Sequence, residues 1–196
     1  MPRPIAACHD HRVEALAPLI REATAIDAEA VSRVRVASWR AAYRGIIDDA
    51  YLDALSVETG RDRYLRGFDP GPAAAFTRVA ADDDGRVVGF ATAGAARGGR
   101  DAPVRPRQGE VWMIYLLPDA QRHGLGTRLM RSMARGLDRR GFGSMIVWAL
   151  ARNEPAHRFY ERLGGRVVAG RNSPVGAQRL DEVAYGWDDL QPLIEG

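Results

Sequence analysis

The sequence predicts an α/β chain (α+β by some schemes) with a mixed, mostly antiparallel central sheet of about six to seven strands flanked by helices. Three observations carry this. Residues 109–131, GEVWMIYLLPDAQRHGLGTRLMR, read as a buried strand, a glycine-containing loop and the start of a helix. Residues 144–150, SMIVWAL, add a second buried strand after that helix, which makes a parallel βαβ unit. Residues 74–81 and 86–95 form a hairpin around Asp82-Asp83-Asp84-Gly85, and late strands near 166–171 and 179–187 complete the sheet.

The remaining elements follow from caps and breakers. Residues 1–15 read as a variable extension, ahead of one domain over residues 16–196. A first strand is expected over 18–24. Asp27 is placed to cap a helix reaching Tyr43, with Ala30, Val31, Val34, Ala37 and Trp39 on its apolar side and Gly45 after it. Asp48 caps a shorter helix through Leu55, and a third helical stretch covers 58–67. Residues 68–72 are a loop, and the Gly-, Arg- and Pro-rich segment 96–109 reads as a mobile surface loop. The helix after the central strand runs to about Arg140 before Gly141 and Gly143, and another helix covers 154–163, opened by Pro155.

Composition narrows the function. The formal charge is +3 and the arginines are scattered, so no nucleic-acid footprint is indicated. Cys8 is the single cysteine, which excludes an intrachain disulfide and a cysteine metal cluster. No signal-peptide core and no membrane-length apolar run is present, so a cytoplasmic location is expected.

Gly124 and Gly126 leave the loop's backbone N–H groups unshielded at a helix N-terminus, where the dipole favours an anion such as a pyrophosphate. A nucleotide-triphosphatase loop would need a Lys after its last Gly, but Thr127 and Arg128 follow Gly126 and the chain contains no Lys. A dinucleotide fold would put its third Gly where Leu129 stands.

The loop resembles the cofactor motif of the GCN5-related N-acetyltransferase (GNAT) superfamily, Gln/Arg-x-x-Gly-x-Gly/Ala after a central strand, with Gln121, Gly124 and Gly126 filling it. Residues 153–165, NEPAHRFYERLGG, are similar to the family's second cofactor segment. Residues 37–55, ASWRAAYRGIIDDAYLDAL, resemble the paired N-terminal helices that bacterial members place over the acceptor site. The resemblance covers roughly residues 18–188.

The resemblance implies a GNAT fold, acetyl-CoA as cosubstrate, no metal, and direct transfer of acetyl to a primary amine. It implies that Gln121, Arg122, His123, Gly124, Leu125, Gly126 and Thr127 hold the pyrophosphate, although a solvent-facing His123 is the safer reading of the residue itself. Asn153 would hold the pantetheine arm as well as cap its helix. The edge at Tyr115, Leu116 and Leu117 would pair with that arm like an added strand, an N–H near Leu116 polarising the thioester carbonyl. Tyr160 stands where the family carries the acid that protonates the departing sulfur; the structural alternative is a core aromatic beside Phe159.

Glu110 begins the strand fourteen residues before Gly124, the offset of the strand glutamate base in histone-acetylating members. Alternation puts Glu110, Trp112, Ile114 and Leu116 on one face, where apolar neighbours would raise the carboxyl's proton affinity. The alternative is an exposed Glu balancing Arg105 and Arg107. Trp39 and Tyr43, one turn apart, and Trp112 are the acceptor-binding candidates, with core packing as the competing role for the helix pair. His157 reads as structural. Two other functions compete: an acyl-CoA-binding regulatory module without turnover, and acetylation of protein N-termini or lysines. The expected partners are a small-molecule amine and, in the event of self-association, a second copy as a homodimer; no nucleic acid or membrane partner is expected.

Overall fold

The computed structural model describes residues 19–67, 75–98 and 105–196. The expected 1–15 extension, the 68–72 loop and the centre of the 96–109 segment lie outside these residues. In chain order the elements are β1 (Leu19–Glu22), α1 (Ala28–Ala42), α2 (Asp49–Asp53), α3 (Val57–Gly67), β2 (Phe76–Ala81), β3 (Val87–Ala95) and β4 (Gln108–Leu116). Then come α4 (Leu125–Asp138), β5 (Ser144–Leu150), α5 (Glu154–Arg162), β6 (Arg166–Val175), β7 (Gln178–Trp187) and α6 (Gln191–Glu195). The strands form one seven-stranded sheet in the order β1-β2-β3-β4-β5-β7-β6. Only β4 and β5 are parallel, because α4 carries the chain across between them.

Helices cover both faces. Leu129, Met130, Met133 and Leu137 of α4 pack with Val111 and Ala93, and Tyr160 of α5 joins the same cluster. Burying each such side chain stabilises by about 1.5–3 kcal/mol. On the opposite face Val31 and Val34 of α1 pack on Val79 and Phe90, while Tyr43, Ile47 and Leu52 meet Leu150. α2 is opened as the sequence predicts, the Asp48 carboxylate accepting the Ala50 N–H at 2.9 Å.

One expectation fails at the centre of the sheet. Thr92 of β3 pairs with Met113 and Ala93 pairs with Val111, so Trp112 is an extra residue, a bulge. The alternation expected to hold Glu110, Trp112, Ile114 and Leu116 on one face therefore breaks. Ile114 packs into the α4 cluster, and Leu116 lies beside Gly126 of α4, whereas Met113, Tyr115 and Leu117 pack with the α1 residues. Glu110 and Trp112 remain together on the α1 face.

Asp27 stands at the N-cap of α1, but its carboxylate is used otherwise. It takes both terminal nitrogens of Arg21 at 2.7 Å and the Thr24 N–H at 2.8 Å. The Arg21 hydrogen bonds, set against the cost of burial, hold its pKa at about 2, below the ordinary 3.8. A lowered folded-state pKa contributes stability that is present above the unfolded value and is lost as pH falls through the folded one. Asp27→Asn should therefore cost about 1–3 kcal/mol at neutral pH. Denaturant titrations at falling pH should show wild type and variant converging as pH drops from 3.8 toward about 2; a gap independent of pH would assign the loss to packing alone.

Candidate active site

β4 and β5 pair from Gln108↔Ser144 to Val111↔Val147 and no further. Residues 112–116 of β4 and the end of β5 then diverge, and a cavity of about 810 Å³ fills the wedge. Trp112, Ile114, Tyr115 and Leu116 line it from β4, Val147, Trp148 and Ala149 from β5, and Tyr43 from the end of α1. Gln121, Arg122, Gly124, Gly126 and Thr127 line its loop end, and Asn153, Phe159 and Tyr160 line it from α5 and its cap.

The backbone at the wedge has donors to spare. The Leu117 N–H donates to Val88 O at 2.9 Å, toward β3. Donors alternate along an antiparallel ladder, so the Leu116 N–H points the other way, into the wedge. The Leu116 carbonyl is held by the Ser38 hydroxyl at 2.9 Å and the Gln121 amide at 3.1 Å, which fixes the strand end against α1 and the loop. Gly124, at φ 75, turns the chain into α4 through the left-handed region, and Arg122 shares that region at φ 67. A non-glycine residue held there costs about 1–2 kcal/mol. A Cβ on Gly126 would come within 3.3 Å of the Phe159 ring. The first turn of α4 contains no acidic residue, so its dipole is uncompensated there, and Arg122, Arg158 and Arg162 line the cavity.

Tyr160 is 5% exposed and packs against Phe159, Tyr185 and Trp187 with ring centroids 5.3, 5.5 and 6.3 Å away. Burial pushes its phenol well above the usual tyrosine range, and burial likewise raises Tyr43 and Tyr115. All three line the cavity as neutral phenols. Both expected uses of Asn153 meet at one place: it lines the cavity, and its side chain accepts the Ala156 N–H at 3.4 Å.

The other expected residues are less uniform. Glu110 is 1% exposed rather than a surface residue, and its partner is neither Arg105, which pairs with Asp188, nor Arg107, which donates to Gly141 O. Its oxygens accept the Arg97 backbone N–H at 2.8 Å and the Arg97 guanidinium at 3.1 Å. That guanidinium also lies 4.5 Å from the centre of the Trp112 ring. Trp112 lines the cavity, while Glu110 sits behind it. Trp39 meets Tyr43 edge-on at 5.2 Å and backs it rather than lining the cavity. Leu117 is turned toward α1 with its N–H occupied, His123 is exposed, and Leu125 buries its side chain. His157 bridges the Tyr185 hydroxyl and Ala151 O at 3.0 and 3.1 Å, a structural position.

Residues 39–165 match the model of the acetyltransferase (GNAT) family. The chain belongs to the GNAT family. It is 36% identical over 182 residues to an uncharacterized N-acetyltransferase, YuaI, of Bacillus subtilis, covering 89% of this chain and 95% of that protein. It is also 36% identical over 143 residues to the mycothiol acetyltransferase of Rhodococcus jostii, covering 62% of this chain and 43% of that longer protein. Among solved structures, the PaiA N-acetyltransferase of Thermoplasma acidophilum in complex with coenzyme A has the same fold, with a TM-score of 0.66, 18% identity and coverage of 85% and 98%. This GNAT chain is therefore an acyltransferase. Among its described residues, no helix is long and apolar enough to cross a membrane.

Sequence reasoning missed Ser38, Arg97, Trp148, Arg158 and Arg162. Arg158 and Arg162 could have been found: they flank Phe159-Tyr160 at helical spacing and so share the cavity side of α5. Ser38, Arg97 and Trp148 are brought in by cross-strand and helix–sheet contacts, which leave no local signature.

Proposed function

We propose that this GNAT enzyme transfers an acetyl group from acetyl-CoA to the primary amine of a small molecule, by direct attack and without a covalent acyl-enzyme. The observation that carries the reading is the meeting, in one wedge, of an outward-facing Leu116 N–H, an uncompensated helix N-terminus and a neutral Tyr160 phenol. The α4 N-terminus with Arg122, Arg158 and Arg162 suits the phosphates of the cosubstrate. The edge of β4 suits its amide-rich arm. The Leu116 N–H would polarise the thioester carbonyl, and Tyr160, kept protonated by burial, would donate to sulfur as its charge grows. The similarity to a mycothiol acetyltransferase supports a small-molecule acceptor.

Amine deprotonation is assigned in this reading to Glu110, acting once its carboxylate parts from Arg97. The Arg97 side chain is 61% exposed and can swing toward water. Trp112 and Tyr43 would flank the incoming ammonium, with Trp39 supporting Tyr43.

Acetyl-CoA at a hundredfold excess over its Kd should raise the melting temperature by roughly 5–10 °C. The double variant Gly124→Val, Gly126→Val should lose that shift, since a branched residue is strained at the left-handed position and crowds Phe159 at the other. A wild-type response from the variant would remove the loop from the cofactor site. Tyr160→Phe should lower kcat by about 10²-fold with acetyl-CoA affinity nearly unchanged; undiminished turnover would mean that water protonates the sulfur. Glu110→Gln should keep cofactor binding and move the pH–rate profile to higher pH, where the acceptor loses its proton unaided. If the profile does not move, Glu110 is a structural partner of Arg97 and nothing more.

A further inference from the structure

On the α1 side of the sheet, three strands bring together a group of side chains that the proposed chemistry does not use. Glu182 of β7 is the register partner of both Leu150 and Arg171. Leu150 packs with Tyr43 and Ile47, so Glu182 and the like-parity Trp148 are directed toward α1. The Glu182 carboxylate accepts Arg171 Nε at 2.6 Å and the Ser173 hydroxyl at 2.5 Å on the same oxygen. The Arg171 guanidinium carbon lies over the Trp148 ring, 3.9 Å from its centre. Trp148 in turn lines the wedge. Burial raises the Tyr43 phenol and the Glu182 charge adds to it, so this carboxylate is within electrostatic reach of the acceptor side.

Arg21 meets Asp27 with both terminal nitrogens, one on each carboxylate oxygen. Arg171 meets Glu182 differently. It is held through Nε alone, and its two terminal nitrogens have no partner among the described residues, although the side chain is only 31% exposed. The clamp on Nε and the ring beneath restrain the guanidinium while leaving both terminal nitrogens unspent, and two terminal nitrogens receive a carboxylate in bidentate fashion. Arg97 and Arg35 also lie over tryptophans on this face, at 4.5 Å over Trp112 and 4.4 Å over Trp39. Three guanidiniums disfavour an acceptor with a second cation.

We infer that Arg171 binds a carboxylate carried by the acceptor, so that the acceptor is an amino acid with its amine in the wedge and its carboxylate on the terminal nitrogens above Trp148. This rests on the acetyltransferase reading above. Glu182 and Ser173 are positioning residues that hold the guanidinium in its plane.

The test measures coenzyme A thiol release with matched sets of acceptors: α-, β- and ω-amino acids, their carboxamides, the decarboxylated amines, phosphorylated amines, diamines and short peptides. Acetyl-CoA binding is measured separately. Wild type should favour a carboxylate over its carboxamide by at least about tenfold in kcat/KM. Arg171→Gln should raise KM for the carboxylate by about 10–100-fold, leave the carboxamide and acetyl-CoA binding unchanged, and so erase the preference. Arg171→Lys should restore part of it, charge without the fork, and Glu182→Gln should raise KM while sparing kcat. Equal rates on carboxylate and carboxamide, equal losses on both in Arg171→Gln, or a preference for diamines, phosphorylated amines or peptides would overturn the inference. If Arg171→Gln does not fold, the wild-type panel and Arg171→Lys decide. Should acetyl-CoA bind while no amino acid is acetylated or bound by the cosubstrate-saturated enzyme, this inference fails alone; should acetyl-CoA not bind, the acetyltransferase reading fails with it.

Discussion

Strand β4 serves two geometries, and the rest of the site depends on how it changes from one to the other. Up to Val111 it is hydrogen-bonded on both edges, to β3 and to β5. At Trp112 an extra residue enters, and pairing to β5 ends at the same point. A bulge increases local twist and bends the strand that carries it, so the end of β4 follows β3 and departs from β5. A strand end released from one neighbour would fray unless held elsewhere. Here the Leu116 carbonyl receives both the Ser38 hydroxyl of α1 and the Gln121 amide of the loop. Those two contacts keep the wedge open at a defined width and bring the α4 N-terminus against it.

The wedge is also sorted electrically along its length. At the loop end, helix N–H groups and arginines favour negative charge. In the middle, Tyr43, Tyr115 and Tyr160 are held neutral, chiefly by burial. Outside the lining, the carboxylates of Glu110 and Glu182 are each matched to an arginine. A phenol in such a setting is a proton donor that adds no negative charge to the cavity. The same burial that packs Tyr160 against Tyr185 and Trp187 thus suits it to donate to a developing charge.

How much of this was legible in the sequence follows from range. The seven strands, the βαβ unit and the glycine loop were readable because apolar runs and turn residues act over a few positions. The bulge at Trp112 was not, since it is a property of the β3–β4 register, and with it went the placement of Ile114 and Leu116. Glu110 was assigned neighbours close in sequence, Arg105 and Arg107, whereas its partner lies across the ladder at Arg97, where Gly94 faces Glu110. β6 runs to Val175, past the expected end at residue 171, because pairing with β7 overrides the turn character of Asn172, Ser173 and Pro174. The five-residue helix α6 is too short for any periodic signal.

The exclusive use of arginine for fixed positive charge acquires a structural meaning on the α1 face. A lysine over an indole presents one compact charge and three donors from a single atom. A guanidinium can lie flat on the ring and still direct its edge sideways, so stacking and hydrogen bonding do not compete. The protein uses this property differently at two places. Arg97 commits its backbone N–H and a terminal nitrogen to Glu110 while lying over Trp112. Arg171 commits only Nε to Glu182 and keeps its terminal edge clear above Trp148. Two stacks built from the same three residue types thus differ, one with a terminal nitrogen on its carboxylate and one with both terminal nitrogens in reserve. That asymmetry, rather than the number of charges nearby, is the ground on which we propose Arg171 as the residue that tells an acceptor from its neutral analogue.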